Sequence, residues 1–207
     1  MGMLNLLLKD PLAFIIIAIP LLYAVIFHEL AHGWVAYRLG DPTARAMGRL
    51  TINPLKHLDP IGTLMLFLVG FGWAKPVPVN LNLLRDRRKG MILVSSAGVI
   101  TNMLLAFCAL FLLRLLSPSL PDTGVKLLYY FARINIILAA FNLIPLPPLD
   151  GSKILMGFAT PSVQKFLASL ERYGLLIIVA LLYLGVLEPV IRFFEWMIIL
   201  VIKLLMP

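Results

Sequence analysis

The residues best suited to chemistry are His28, Glu29 and His32, which lie within a long apolar run. If this run is helical, the two histidines are one turn apart on the same face, so both imidazoles can reach one metal ion. Glu29 follows the first histidine too closely to coordinate comfortably, but its carboxylate can hold and deprotonate a water on that metal. Such polar groups are costly in an apolar segment of membrane length, which favours a functional site over isolated core histidines.

The composition predicts a membrane protein. Of the 207 residues, 61% are hydrophobic and 14% are charged, whereas soluble domains are nearer half apolar. We therefore expect a single membrane-embedded domain over residues 1–207, with its core at 12–151 and C-terminal helices at 152–207. The net charge of +8 comes mainly from residues between the apolar runs. There they act as topology signals, which argues against a nucleic-acid partner.

The apolar runs predict an all-α integral membrane protein with five to six transmembrane helices. The first helix is expected from Pro11 to about Leu39, and residues 45–52 predict a small β-hairpin after it. Residues 61–73 are apolar but too short to cross a bilayer core of ~30 Å, which predicts a re-entrant segment. Basic residues concentrate on one side of this topology. The expected location is the cell membrane, multi-pass, with the N-terminus outside and the candidate site toward the cytoplasm.

A third ligand is needed, because catalytic zinc takes three protein ligands and keeps one open position. Asp41 and Asp59 belong to turns and are expected to be solvated, and Asp86 is neutralised by neighbouring arginines. Asp150 follows a proline-rich exit from a predicted span and has apolar neighbours, so its carboxylate needs a cation. We prefer Asp150 as the third ligand, and the alternative is an N-cap of the following helix. His57, in a basic loop, is expected to be solvated or structural.

Three short motifs follow one another in the chain: HELAH at 28–32, AGVITN at 97–102, and NLIP leading to LDG at 142–151. Together they resemble the signatures of the site-2 protease family of intramembrane zinc metalloproteases. The stretch GWAKPVPVN at 72–80 resembles its compact prokaryotic branch, without a PDZ or CBS domain. Val99 stands where the second motif usually has proline, a change that affects helix packing and leaves the metal chemistry untouched.

The resemblance implies a role for each motif residue. His28, His32 and Asp150 would hold one Zn²⁺ per chain, and a His₂Asp set with an open position suits zinc. Glu29 would be the catalytic base, and Asn142 would hold the substrate chain or the oxyanion.

The function expected from this resemblance is hydrolysis of peptide bonds within transmembrane segments of membrane proteins. The expected partners are a transmembrane protein or peptide substrate and the lipid bilayer; the sequence does not fix an oligomeric state. One alternative is a membrane metal-ion transporter, although internal repeats typical of transporters are not evident. A second is a non-proteolytic metal-binding scaffold, and a third is a membrane protease that acts on soluble substrates.

Overall fold

The computed structural model describes residues 3–70 and 72–206. This part of the chain forms ten α-helices: α1 (Met3–Lys9), α2 (Pro11–Arg38), α3 (Thr43–Ala46), α4 (Pro60–Val69), α5 (Arg87–Leu116), α6 (Asp122–Leu143), α7 (Asp150–Phe158), α8 (Pro161–Glu171), α9 (Gly174–Tyr183) and α10 (Leu187–Leu205).

Local signals set the ends of the long helices. The Asp10 side chain accepts a hydrogen bond from the Ala13 N–H, and Pro11 occupies the first position of α2, where its missing N–H costs nothing. Gly40, with φ of +111°, turns the chain just after this helix. Asp86 caps α5 in the same way by accepting from the Lys89 N–H. The predicted bounds of the first helix therefore agree with the structure to within a residue.

Within the described residues, three helices are long and apolar enough to cross a membrane: α2, α5 and α6. Helices α8 and α9 provide a fourth span only if this pair, bent by 76°, is counted as one. The prediction of five to six transmembrane helices was therefore too high. One reason is that α9 has only 10 residues, a rise of about 15 Å. Another is that α10 carries four charged side chains, at positions 188, 192, 195 and 203.

The predicted β-hairpin at 45–52 was wrong, and residues 3–70 and 72–206 contain no β-strand. The Asp41 carboxylate accepts hydrogen bonds from both the N–H and the hydroxyl of Thr43, which starts α3. Arg49 then donates its N–H to the Ala44 carbonyl, and Gly48 turns at φ of +62°. Asp, Pro and Thr in succession favour this local turn over strand pairing.

The segment 61–73 is shorter than a span, as predicted. Its helix, α4, has 10 residues and ends at Gly70, whose φ is +86°. At 1.5 Å per residue the helix rises about 15 Å, half of a hydrocarbon core. Residue 71 lies outside the described residues, and re-entry of this segment stays a prediction.

Small side chains allow α2, α5 and α6 to pack closely. Ala24, Ala106, Ala139 and Ala140 are completely buried where these helices meet. Helix–helix contacts in membranes favour small residues, because lipid provides no hydrophobic driving force for association. Small residues let the helix backbones approach closely, and van der Waals attraction then stabilises the contact. These three helices form the frame of the site. Helix α10 joins it through Ile198 and Ile202, and through an ion pair of 3.1 Å between Glu195 and Arg133 of α6.

Asp41 is buried, contrary to the expectation that it is solvated. Besides Thr43, its carboxylate accepts the Asn80 N–H at 2.6 Å, which ties the end of α2 to the segment before α5. Burial alone would raise the pKa of Asp41, but the hydrogen bonds from Thr43 and Asn80 outweigh it and the pKa lies below its ordinary value.

We predict that Asp41→Asn lowers the stability of the purified protein by about 1–3 kcal/mol, because an amide N–H₂ would face the Asn80 N–H. The wild-type advantage is complete above about pH 4 and disappears as the pH falls through the lower folded-state pKa. Thermal melting in detergent across this pH range measures both effects. Asp59→Asn is the control, since asparagine still caps α4. Equal melting of the two variants would contradict the prediction.

Candidate metal centre

Asp150 meets both histidines of α2. Its Oδ2 lies 3.1 Å from Nε2 of His28 and 3.1 Å from Nε2 of His32. The three residues are 7–8% exposed, and their ligand atoms all lie within 4.8 Å of one another. Asp150 is the first residue of α7, and its side chain forms no cap for that helix. The structure therefore brings together the three residues predicted to be ligands, and the N-cap alternative for Asp150 is wrong.

Hydrogen bonds on the far side of each ring fix which nitrogen faces Asp150. Nδ1 of His28 lies 2.6 Å from Oδ1 of Asn102, and Nδ1 of His32 lies 2.7 Å from the carbonyl oxygen of Val94. Since both partners are acceptors, each Nδ1 carries the proton and donates. In a neutral imidazole Nε2 then has its lone pair free, which is the state that binds a metal.

The resulting cluster suits a cation. Oδ2 of the Asp150 carboxylate faces both imidazoles, and the deprotonated carboxylate is the form that coordinates a metal. Asp150 Oδ2 is buried without a hydrogen-bond partner among the described residues. An ionised oxygen beside two imidazole lone pairs is unfavourable unless a positive ion lies between them. These residues therefore fit zinc, which prefers nitrogen and carboxylate ligands of this kind.

Two glycines permit the close packing behind the cluster. A Cβ added to Gly98 of α5 would lie 2.5 Å from Cε1 of the His28 ring. A Cβ added to Gly151 would clash with the carbonyl oxygens of Leu143 and Ile144 at the end of α6. Each glycine thus lets backbone approach where a side chain would displace a candidate ligand.

Glu29 lies beside the cluster and is held by the backbone of the segment before α5. Its Oε2 accepts the Val77 N–H at 2.7 Å, and Oε1 has no hydrogen-bond partner among the described residues. The same segment is anchored where Arg49 donates to the Lys75 carbonyl at 2.7 Å. One carboxylate oxygen of Glu29 is thereby fixed, while the other remains available for proton transfer.

One cavity of about 840 Å³ connects these groups, and its walls include His28, Glu29, His32, Asn142 and Asp150. The five predicted site residues therefore share one space. The Asn142 amide donates one hydrogen bond to the Leu138 carbonyl at 2.9 Å, and its second N–H has no partner among the described residues. Their catalytic and binding roles remain predictions.

His57 is structural rather than solvated. It is 1% exposed, its Nε2 lies 2.8 Å from the Thr51 carbonyl, and its own carbonyl accepts the Lys75 N–H. It does not line the cavity. Its place in the structure is to support the segment that carries Val77.

Sequence reasoning missed two backbone groups and one side-chain contact that position the site. The Val94 carbonyl and the Val77 N–H belong to the backbone, so their roles cannot be predicted from the residue types. Asn102 belongs to a predicted motif, but its contact with His28 was not predicted. The signal was the position of this asparagine in a membrane-length helix, because a polar side chain there needs a hydrogen-bond partner.

Comparisons with known proteins match this chain to one family. The family model for Peptidase family M50 matches residues 119–185. Relatives that bear the name "Putative zinc metalloprotease" occur in bacteria and in an archaeon. YwhC of Bacillus subtilis is 41% identical over 80% of this chain and 78% of its own length. Rip2 of Mycolicibacterium smegmatis is 30% identical over 82% of this chain and 67% of its own length. MJ0611 of Methanocaldococcus jannaschii is 33% identical over 70% of this chain and 71% of its own length. No solved structure matches the chain.

The fold and the buried His₂Asp cluster define a helical protein with apolar, membrane-length helices and a candidate metal centre among them. The chain belongs to Peptidase family M50, the site-2 protease family of zinc metalloproteases. The resemblance drawn from the three motifs is thus confirmed.

We predict that Asp150→Ala lowers bound zinc sharply, because two neutral imidazoles remain without the anionic ligand. Elemental analysis of the purified, zinc-loaded protein measures the stoichiometry. The control is Asp122→Ala, which removes an exposed carboxylate at the start of α6. Unchanged zinc in Asp150→Ala would remove this residue from the ligand set.

We also predict that Gly98→Ala weakens zinc binding by about 10- to 100-fold, the range seen when groups that orient a ligand are changed. The added methyl displaces the His28 ring without touching the metal. Gly124→Ala, in the first turn of α6, is the matched control, since its Cβ would meet only Leu120 and Pro121, at ordinary contacts of 3.4 Å or more. Competition with a chromogenic chelator measures the affinity, and equal affinities for the two variants would refute the prediction.

Proposed function

We propose that this protein is an intramembrane zinc endopeptidase that hydrolyses peptide bonds in transmembrane segments of other membrane proteins. The observation that carries the proposal is the shared cavity. It joins the His28, His32 and Asp150 cluster to Glu29 inside a body of apolar, membrane-length helices. The names of the relatives support the hydrolytic chemistry.

In the proposed mechanism, His28, His32 and Asp150 hold a single zinc ion per chain. Zinc bound there supplies a Lewis acid for the scissile carbonyl and lowers the pKa of a water toward 7. Glu29 takes the proton from the attacking water through Oε1 and then gives it to the leaving amine, while Val77 keeps its other oxygen in place. The second N–H of Asn142 donates to the substrate carbonyl, whose oxygen gains charge in the transition state.

The proposed location is the cell membrane, with the cavity facing the cytoplasm. Its walls include Arg87, Arg88, Lys153 and Lys165, at the same ends of the helices as the metal centre. Basic residues at the ends of spans favour the cytoplasmic side, so the positive-inside rule supports this orientation.

A transporter and a scaffold fit the structure less well. A transport path requires successive ligand sites, yet the described residues contain one group of at least three candidate metal ligands. A metal-binding scaffold would have no use for a carboxylate held beside the metal with one oxygen free.

The proposal predicts that the purified, zinc-loaded protein in liposomes cleaves a subset of single-span peptides within their apolar segment. Removal of zinc by a chelator should abolish cleavage, and added zinc should restore it. Mass spectrometry of the products locates the cleaved bonds. Cleavage only in soluble flanks, or cleavage that persists without metal, would reject the intramembrane metalloprotease.

We further predict that Glu29→Gln keeps wild-type zinc content but loses at least about 10²-fold in rate, because glutamine still accepts from Val77 but takes up no proton. Zinc analysis and peptide cleavage are measured on the same preparation. Glu188→Gln, at the exposed start of α10, is the control and should cleave as wild type does. A near wild-type rate for Glu29→Gln would exclude Glu29 as the base.

A further inference from the structure

The cavity has a basic mouth that the proposed chemistry does not use. We define the basic rim as Arg87 and Arg88 at the start of α5, Lys153 of α7 and Lys165 of α8, all of which line the cavity. Apart from Glu29 and Asp150 at the metal centre, Glu171 is the one acidic residue in the cavity wall. The mouth therefore carries an excess of positive charge.

The rim cations are not neutralised within the protein. Arg88 donates to the Ala159 carbonyl at 3.2 Å, a neutral partner. No ion pair joins Arg87, Lys153 or Lys165 to an acid in the described parts of the chain. Four cations around one cavity, with Glu171 as the acid in its wall outside the metal centre, create a net positive potential, which favours an anionic group in the cavity between them.

Helix periodicity explains why Lys165 belongs to the rim. The cavity is lined by residues 161, 164, 165, 168 and 171 of α8, which share one helical face. Val163 and Phe166 lie on the outer side and are exposed, 62% in the case of Phe166. The two Gln164 hydrogen bonds, to the Met156 and Ala159 carbonyls, hold this face toward α7. The fold thus presents the lysine to the cavity.

The rim lies a short distance from the metal centre. Lys153 is one helical turn after Asp150 on α7. Arg87 precedes Val94, the hydrogen-bond partner of His32, by two turns, or about 10 Å along α5. Since an extended chain covers about 3.3 Å per residue, about three substrate residues reach from the cleaved bond to the rim.

We propose that the basic rim is a specificity subsite for acidic side chains of the substrate, about three residues from the cleaved peptide bond. This inference rests on the proposed proteolytic function. Aspartate or glutamate at that position meets Arg87, Lys153 and Lys165 while the scissile carbonyl lies at the metal centre. A peptide fits better than an anionic lipid, because a headgroup held inside this shared cavity would block the path to the metal.

The test compares single-span peptides that are identical except for positions two to four on one side of the cleaved bond, which carry Asp/Glu, Asn/Gln or Lys. Both sides are tested in separate series. In a neutral detergent at low salt, the acidic peptide of one series should have a kcat/KM roughly tenfold above the neutral one, the lysine peptide should be worst, and high salt should reduce the difference. Binding of the same labelled peptides to zinc-loaded Glu29→Gln, followed by fluorescence anisotropy, should show the same order without cleavage.

A charge-reversal variant of the basic rim provides the more stringent test. Arg87→Glu combined with Lys165→Glu changes two exposed residues, and glutamate in the first turn of α5 suits the helix dipole. This variant should retain its zinc and prefer the lysine peptide. The control is Lys126→Glu, an exposed site near the start of α6, at the other end of that helix from Asn142, which should keep the acidic preference.

The outcomes separate the two proposals. Equal cleavage and binding of the three peptides by the wild type, or an acidic preference that survives charge reversal, would overturn the subsite but leave the protease intact. A rim variant that loses only its binding to vesicles containing anionic lipid would assign the rim to lipid instead. If no peptide of any charge is cleaved or bound, the proposed function fails, and the subsite fails with it.

Discussion

The structure depends on holding three electron-rich atoms together in an apolar body. Nε2 of His28, Nε2 of His32 and Oδ2 of Asp150 come from α2 and from α7, which are separated in the chain by more than a hundred residues. Without a cation these atoms gain little from proximity, and the buried carboxylate loses its hydration. Helix packing must therefore hold these atoms together at a cost in free energy, and metal binding recovers that free energy. Metal binding and the stability of this helix arrangement are therefore thermodynamically coupled.

Helix α5 is the element that makes this approach feasible. It contacts α2, α6 and α7, and it gives the His28 ring room at Gly98. It also supplies both acceptors that orient the imidazoles, the Asn102 side chain and the Val94 carbonyl. Asn102 in turn donates to Asn135 of α6 at 2.7 Å. In a bilayer a chain of hydrogen-bonded amides costs little free energy, whereas a single unpaired amide would cost much more. The polar groups therefore fix the register of the helices.

The parts of the molecule that the sequence predicts well are those governed by local signals. The histidine spacing and the proline at position 11 act over a few residues, and the first helix follows from them. The approach of Asp150 to the histidines is not local, and it was predicted because a carboxylate among apolar neighbours needs a cation. The errors come from competition between local signals and from length. The Asp41 turn prevented the hairpin, and charged positions in α10 reduced the number of apolar spans. Backbone groups such as the Val77 N–H are invisible to residue types, because only the fold determines where they lie.

The segment beside the metal centre also limits how a substrate can be held. Within residues 75–78, the Lys75 N–H goes to His57, the Val77 N–H goes to Glu29, and Pro76 and Pro78 have none. This part of the segment therefore has no free N–H to offer an unwound substrate. The carbonyls that a substrate exposes on leaving its helix must find donors elsewhere, in the Asn142 amide, in the cations of the rim or in water. A cavity of about 840 Å³ with several polar groups in its walls has room for such water, and hydrolysis needs water at the same place.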